Sequence, residues 1–315
     1  MKPTSIKRLL LATDFSDWAR RAEEYACALA ASWKIPLTVM TVLEFPPGMN
    51  PEYAVNKQYL TDRMDDASNR LAEFKQRTGR RGIVATTRIA RGIPSEEVIA
   101  AAQSDDADLL VVGTRGKAGL AHVLLGSTAE RVIRSAPCPV LAVHALRDDV
   151  PTEEDISIKR ILVPTDLSDC SLDALEYAAV VAKQSQASVE LLHVLEPVYY
   201  GIDFTFEHAD DREKKRKRIA QALEDLSASL SKAGIITKTC IRGGMPPDTI
   251  LEYVQTSASD LIVMGTHGRR GLSHLVAGSV TEAVLRHSTC PVLAVRKLPF
   301  DDAARRVILP ARSSG

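Results

Sequence analysis

Two glycine-rich segments of the sequence have the residue types and the spacing that a phosphate site needs. Gly265 and Gly268 come directly after an apolar run, and a Gly278-Ser279 pair follows after nine further residues. The segment 113–127 repeats the same spacing of glycines and serine. Glycine lets a ligand approach the backbone closely, and a helix beginning at the serine would offer free N–H groups and its positive dipole end. Residues 113–127 and 265–279, here named the first and second glycine loops, are therefore candidate phosphate sites.

The glycine loops have other possible interpretations. Neither loop is a GxxxxGK[ST] P-loop, and neither is a GxGxxG motif after a first strand, so motor-type and classical dinucleotide sites are disfavoured. Glycines in a tight loop before a serine helix N-cap would need no ligand, and this alternative stays open. Two loops of identical spacing, each beside an acid (Asp14 or Asp166) after the first strand of its half, favour ligand binding.

The sequence contains one unit twice, at an offset of 152 residues. Asp14 corresponds to Asp166 and Cys138 to Cys290, and 20 of 36 positions are identical between residues 108–143 and 260–295. This identity indicates a duplicated domain, because the period far exceeds the roughly 20–50 residues of solenoid repeats. We predict a first domain at 1–147, a polar linker at 148–157, a second domain at 158–298 and a C-terminal tail at 299–315.

Each half alternates short apolar runs with helical patterns. In the second half Arg160–Pro164 and Ser188–Val194 fit strands, and the Ala-rich segment Leu172–Gln184 between them has the apolar spacing of a helix. The pattern predicts an α/β fold with two repeated doubly wound, Rossmann-like domains, each with a mainly parallel five-stranded sheet. Such sheets bind ligands at the carboxyl ends of their strands, where both glycine loops and both aspartates fall.

Composition and cysteine content argue against several other classes of protein. Lys and Arg balance Asp and Glu, so nothing global indicates a nucleic-acid binder. No apolar run approaches the ~18 residues of a membrane span, and the N-terminal residues fit a first strand better than a signal peptide. Five scattered cysteines without CxxC or Cys/His metal spacing predict no structural metal and fit a reduced, cytoplasmic location.

The spacing of the glycine loops resembles the nucleotide-binding signature of the universal stress protein family: glycine, two residues, glycine, nine residues, Gly-Ser. Four further blocks of the second half are also similar to that family, namely Ile161–Ser168, Leu191–Val194, Gly244–Pro246 and Cys290–Val295. Because all of these blocks occur in the same order in both halves, the sequence is identified as a tandem, two-domain member of the family.

The resemblance implies a site for ATP or AMP in each half, and Mg²⁺ can accompany ATP. In the second half, the residues implied near adenine and ribose are Pro164, Asp166, Val194, Met264 and Gly265. Those implied to hold phosphates through backbone N–H groups and the serine hydroxyl are Gly268, Gly278, Ser279 and Val280. The corresponding residues of the first half are Ala12, Asp14, Val42, Val112, Gly113, Gly116, Gly126, Ser127 and Thr128. Ala12 and Val112 depart from the family's usual proline and frequent methionine, away from the phosphates.

Polar residues around the loops have alternative roles. Asp14 and Asp166 can be helix N-caps, a role that is compatible with ligand contact. His122 and His274 fit loop-stabilising hydrogen bonds better than phosphate contacts. The cationic or titratable side chains beside the glycines would either screen phosphate charge or face solvent; they are Arg115, Lys117, His267 and Arg269.

The run Asp211–Arg218 is rich in basic residues, but it is expected to form a solvated helix face, since the first half has no comparable basic run at Thr61–Asn69. Nucleic-acid binding is therefore not expected.

For function, the resemblance implies an adenine-nucleotide-binding module of the stress response. No general base, nucleophile pair or metal cluster recurs in both halves, so efficient catalysis is not expected. The alternatives are a slow ATPase or adenine-nucleotide hydrolase relative, and a partner-binding scaffold with a structural nucleotide. In the family the last strand makes a dimer contact, which implies that Pro139–Val143 and Pro291–Val295 pair the two halves as an internal pseudo-dimer. A homodimer of two chains is a further option.

Overall fold

The computed structural model describes residues 5–44, 53–114, 125–144, 156–197, 209–266 and 278–296. The chain divides into two compact units, Ile6–Ser157 and Ile158–Gly315. Most of the predicted linker and all of the predicted tail lie outside the described residues. Within the described part of the chain, no helix is long and apolar enough to cross a membrane.

The first unit alternates strands and helices along its described residues. Its elements are β1 (Leu9–Ala12), α1 (Arg20–Trp33), β2 (Leu37–Leu43), α2 (Ala54–Arg80), β3 (Ala85–Arg91), α3 (Pro94–Ser104), β4 (Leu109–Gly113), α4 (Ser127–Ser135) and β5 (Val140–Val143). The strand order is β3-β2-β1-β4-β5, and each neighbouring pair is parallel. Strands β2 and β3 are added on one side of β1, and β4 and β5 are added on the other side. The order of strands therefore reverses between β1 and β4, and doubly wound sheets open a ligand crevice at this point.

The second unit repeats this arrangement element by element. Its elements are β6 (Arg160–Pro164), α5 (Asp169–Ser185), β7 (Ser188–Leu195), α6 (Ala209–Lys232), β8 (Thr237–Gly243), α7 (Pro246–Ser257), β9 (Leu261–Gly265), α8 (Ser279–His287) and β10 (Val292–Val295). The strand order is β8-β7-β6-β9-β10, again with parallel pairs. The predicted fold class is confirmed in both units. Helix α5 begins three residues earlier than predicted, because Ser168 caps it.

The central strands are apolar along their whole length because helices cover both faces of the sheet. Leu11 of β1 and Leu110 of β4 are fully buried, as is Leu162 of β6. The strand at the side of the first sheet differs, because Ala85 is the single buried residue of β3. Each buried leucine contributes about 1.5–3 kcal/mol relative to an exposed one. The core therefore lies on the two faces of each sheet and leaves the strand ends for other roles.

A repeated aspartate connects two strands at the end of each sheet opposite the glycine loops. Oδ2 of Asp108 accepts hydrogen bonds from the backbone N–H groups of Lys7 (2.9 Å) and Arg8 (3.0 Å), just before β1. Asp260 makes the same two bonds just before β6, at 2.9 and 2.8 Å. This conserved spacing within the duplication is explained by strand alignment and calls for no ligand.

Two buried thiols make the stability of the first unit sensitive to alkaline pH. Burial, followed by the charge of Glu24, raises the pKa of Cys27 from 9.0 to about 12, and burial raises the pKa of Cys138 to about 12. Between pH 9 and 12 the unfolded chain ionises these thiols while the folded chain keeps them neutral, so the free energy of unfolding falls as pH rises. We expect Cys27→Ala to flatten this fall by about 1 kcal/mol per pH unit, as measured by urea unfolding at pH 8–11. Equal slopes for variant and parent would contradict the assignment.

Candidate functional site

The sheet register brings predicted site residues to one edge of each unit, the edge at which the parallel strands end. We name it the carboxyl edge. Ala12 is the last residue of β1 and lies beside Val112 of β4, and Gly113 follows directly. On the other side of β1, Val42 lies near the end of β2. In the second unit Pro164 is the last residue of β6, and Val194 lies near the end of β7. Residues implied on either side of the adenosine thus lie on adjacent strands.

A turn after the first strand of each unit fixes the position of its aspartate. In residues 13–16, Thr13 Oγ1 accepts a hydrogen bond from the N–H of Phe15 at 3.0 Å. Asp14 Oδ1 accepts one from the N–H of Ser16, also at 3.0 Å. Residues 165–168 make the same two bonds, at 3.1 and 3.0 Å. We name these segments the first and second acid turns.

Both acid turns contain a non-glycine residue in the left-handed region of the backbone. Phe15 has φ 56° and Leu167 has φ 65°. A bulky residue is unfavourable there by about 1–2 kcal/mol, so the surrounding hydrogen bonds must hold it. Strained backbone that recurs at the same place in both units is typical of functional sites. The strain turns the chain at the carboxyl edge immediately after the aspartate.

The aspartates are not helix N-caps, so that alternative is wrong. Helix α5 is capped by Ser168, whose side chain accepts a hydrogen bond from the N–H of Ser171. Helix α1 has Ala19 at its N-cap, and the Oγ of Ser16 accepts from the N–H of Ala19 at 3.3 Å. Asp14 and Asp166 instead order the turn that precedes the helix. Their half-buried position leaves them at the carboxyl edge.

Each glycine loop is held closed by a hydrogen bond between its two ends. The N–H of Gly126 donates to the carbonyl oxygen of Thr114 at 2.8 Å, and the N–H of Gly278 donates to that of Thr266 at 2.7 Å. The N–H of Thr114 in turn donates to the carbonyl of Val143, the last residue of β5, at 3.0 Å. Thr266 makes the corresponding bond to β10 at 2.9 Å. Strand end, loop end and helix start are therefore fixed relative to one another.

The helix after each loop presents backbone donors that no side chain caps. The N-cap positions of α4 and α8 are Gly126 and Gly278, without a side-chain hydrogen bond. Ser127 and Ser279 are the first helical residues, so the alternative that they are ordinary N-caps is wrong. Both serines are exposed, and within the described residues neither hydroxyl has a hydrogen-bond partner. Uncapped N–H groups, the positive helix end and a hydroxyl together suit a phosphate.

Four implied site residues lie mainly in the core, among them Pro164, the last residue of β6. The side chains of Val112 and Met264 are 4% and 5% exposed, so any ligand contact would come from their backbone. Gly265 has a packing role as well, because a Cβ there would lie 2.8 Å from the carbonyl oxygen of Cys170. The missing side chain lets the start of α5 approach β9 closely, independently of any ligand.

Some predicted residues lie outside the described part of the chain. They are the glycines Gly116 and Gly268, the charged or titratable loop residues Arg115, Lys117, His267 and Arg269, and the histidines His122 and His274. The remaining implied residues are all described, including Thr128 and Val280, which are the second residues of α4 and α8. The ends of both loops are thus in place on the carboxyl edge.

The side chains that support the two acid turns from the protein interior differ between the units. In the first unit the buried Glu23 accepts a hydrogen bond from Thr13 Oγ1 at 2.7 Å, and its other oxygen pairs with Arg77 of α2 at 3.1 Å. In the second unit Thr165 Oγ1 lies 3.0 Å from Ser171 Oγ, and the Nδ1–H of the buried His193 donates to the Thr165 carbonyl at 2.8 Å. A carboxylate supports the first turn, and neutral or imidazole groups support the second.

We expect Glu23→Ala to lower the free energy of unfolding of the first unit by about 2–3 kcal/mol. The substitution removes the carboxylate that Arg77 and Thr13 share, and leaves a cavity in α1. Glu23→Leu, which introduces the residue type of Leu175 at the corresponding position, should recover most of the loss by filling that space. The control is Asp17→Ala, which removes the exposed pair with Arg20 and should change stability by less than 0.5 kcal/mol. Urea unfolding measures all three variants, and an unchanged Glu23→Ala midpoint would refute the role.

Sequence reasoning missed the threonines of both motifs. Thr13 and Thr165 hold the acid turns, and Thr114 and Thr266 join the ends of the glycine loops. The available signal was their repetition at the 152-residue offset directly beside the singled-out residues. Glu23 gave no such signal, since the second unit has leucine there.

Two doubly wound units, each with an acid turn and a closed glycine loop on its carboxyl edge, define a tandem α/β protein of the universal stress type. The sequence model of the family described as "Universal stress protein family" matches this chain twice, at residues 5–144 and 157–296. The chain therefore belongs to this family, with one family domain in each unit.

Individual relatives match either most of the chain or about half of it. Universal stress protein Slr1230 of Synechocystis is 26% identical over 316 residues, and the match covers 92% of this chain and 100% of Slr1230. Universal stress protein Sll1654 of the same organism is 39% identical over 140 residues, covering 44% of this chain and 87% of Sll1654. The crystal structure of a universal stress protein from Archaeoglobus fulgidus has the same fold, with a TM-score of 0.69 and 24% identity over 95% of this chain and 99% of that one.

Proposed function

We propose that this protein binds an adenine nucleotide, ATP or AMP, at the carboxyl edge of each unit and acts as a binding or signalling module of the stress response. The observation that carries the proposal is the pair of uncapped helix starts, each next to a glycine loop closed by a backbone hydrogen bond. Phosphates would lie at the N–H groups of Ser127 and Ser279, and the acid turns would border the ribose. Mg²⁺ would enter with ATP.

The electrostatics of the helix starts support a phosphate more than a neutral ligand. The N-terminus of a helix has about half a positive charge, and its first N–H groups lack partners inside the helix. In both units the acid turn and the glycine loop follow neighbouring strands, because β1 lies beside β4 and β6 lies beside β9. An extended ligand with an anionic end and a polar middle fits such an edge.

The proposal includes a cytoplasmic location, which the five free cysteines favour. Pairing of the two halves through their last strands stays a prediction.

Two alternative functions remain. The enzyme alternative is a slow ATPase or an adenine-nucleotide hydrolase relative, and the scaffold alternative binds nucleotide for structure only. Two hydroxyls of the acid turns donate to carboxylates, Thr13 to Glu23 and Ser168 to Asp166. Each hydroxyl also accepts a backbone N–H group and so holds its turn in place, and the proposal therefore favours binding over turnover.

Identification of the bound ligand is the direct experiment. The protein is purified without added nucleotide, denatured, and the released small molecules are identified by mass spectrometry. We expect ATP or AMP, with titration of the stripped protein showing up to two sites per chain. Release of an unrelated molecule, together with no heat of ATP binding, would refute the adenine-nucleotide assignment.

A separate incubation with ATP distinguishes module from enzyme. Product formation is followed by chromatography over hours. For a binding module we expect less than about one turnover per minute. Many turnovers per minute, lost in a Ser127→Ala/Ser279→Ala variant, would establish the ATPase alternative instead.

A further inference from the structure

A basic face on α6 has no explanation in the nucleotide site. Lys214, Lys217 and Arg218 have the i, i+3, i+4 spacing that places side chains on one side of a helix. All residues from 213 to 218 are exposed. Arg218, like its neighbours Lys215 and Arg216, has no ion-pair partner within the described residues. Lys217 is 3.8 Å from Glu213, which is the single acid of this stretch.

The arrangement of like charges works against helix stability. Positive side chains three and four residues apart repel one another on a helix surface. Folding of the second unit does not need them, since this side of α6 lies in solvent. A partner of opposite charge would relieve the repulsion.

The corresponding positions of the first unit have the opposite charge. Residues 152 positions earlier are Asp62, Asp65 and Asp66 on α2, also exposed and also spaced i, i+3, i+4. Asp62 accepts a hydrogen bond from Gln58 at 2.8 Å, and Asp66 pairs with Arg70 at 3.0 Å while remaining 47% exposed. The two trios, the basic face (Lys214, Lys217, Arg218) and the acidic face (Asp62, Asp65, Asp66), are complementary in number and spacing.

We propose that the basic face of one chain docks on the acidic face of a second copy of the same chain. The partner is a second copy because the chain itself presents a matched acidic face of the same geometry. The net charge of the whole chain is zero, so no long-range repulsion opposes association of copies. The contact does not involve the last strands. The acidic face lies next to the first acid turn, because Arg70, which pairs with Asp66, also donates to the carbonyl oxygen of Phe15 at 3.3 Å. Exposed ion pairs are screened by salt, and this makes the association strongest at low ionic strength.

A charge-swap experiment on the full chain tests the proposal. Variant one has Lys214→Glu, Lys217→Glu and Arg218→Glu, and variant two has Asp62→Lys, Asp65→Lys and Asp66→Lys. We expect the parent to self-associate at ~50 mM NaCl and to dissociate at ~500 mM in sedimentation velocity. Each variant alone should associate at least about tenfold more weakly, and an equimolar mixture of the two should recover parental association.

Several results would overturn the proposal. They are a parent whose mass does not change with salt, variants that associate like the parent, or a mixture that does not recover. A control for fold is the thermal unfolding of each variant, which should stay within a few degrees of the parent because all six side chains are exposed. If the monomeric parent instead binds a short DNA duplex and variant one does not, the basic face serves nucleic acid and the self-docking proposal fails.

Discussion

Gly265→Ala should destabilise the second unit by about 3 kcal/mol, as measured by urea unfolding of the full chain. A Cβ at residue 265 would lie 2.7 Å from the Sγ of Cys170, 2.8 Å from its carbonyl oxygen and 2.9 Å from its carbonyl carbon. Two of these atoms are backbone at the start of α5, so relief requires the helix to move away from β9. Overpacking of this kind costs about 1–3 kcal/mol and more when backbone must shift.

The chain offers a matched control and a discriminating double variant. Gly243→Ala, at the end of β8, meets nothing within 4 Å and should change stability by less than about 0.5 kcal/mol. Gly265→Ala combined with Cys170→Ala removes the Sγ clash but leaves the clash with the Cys170 backbone, so it should recover less than half of the loss. Full recovery would show that the thiol alone sets the spacing and would contradict the backbone argument.

Gly278→Val should weaken ATP binding at the second site at least about 100-fold, or roughly 2.7 kcal/mol, without unfolding the unit. Gly278 has φ −56° and ψ 143°, a conformation that any residue adopts, so the substitution adds bulk rather than backbone strain. The valine side chain would occupy the approach to the uncapped N–H groups of α8. Gly126→Val should have the same effect on the first site, because Gly126 has φ −62° and ψ 142°.

Calorimetric titration measures both affinity and the number of sites. Each single variant should lose one binding event while the other remains, and the double variant should bind no ATP. Gly79→Val near the end of α2, at the opposite end of the sheet, is the control and should bind like the parent. If the double variant binds ATP with parental affinity, the nucleotide does not lie at the helix starts.

The duplication and the apolar runs were enough to predict the fold. Strands such as Leu109–Gly113 are apolar throughout, and apolar strands alternating with helices have few arrangements other than a doubly wound parallel sheet. The placement of Asp14, Gly113 and Gly126 on one edge follows from that topology. The helix boundaries were harder to predict than the fold. Helix α5 begins after Ser168 because of a single side-chain hydrogen bond, and several neighbouring residues could also have capped the helix.

The support behind the site could not be predicted in the same way. Asp108 and Asp14 are both repeated in the second half, but Asp108 aligns two strands and Asp14 orders a turn. The sequence does not separate these two roles, because they depend on the end of the sheet at which each aspartate lies. Glu23 depends on Arg77, a residue 54 positions away whose contact exists only after α1 and α2 pack. Gly265 fits both a ligand-approach and a helix-packing interpretation, and only the distance to Cys170 reveals the second.

The hydrogen bond between Thr114 and Gly126 also bears on the entropy of ligand binding. It joins the ends of the eleven intervening residues, 115–125, during folding and before any ligand arrives. Bringing together the ends of a chain segment of this length costs about 2 kcal/mol in closure entropy. That cost is met by the fold, so it does not reduce the affinity for a ligand. Under the proposed function, sequence changes between the two ends would therefore alter which ligand binds while the closure itself is retained.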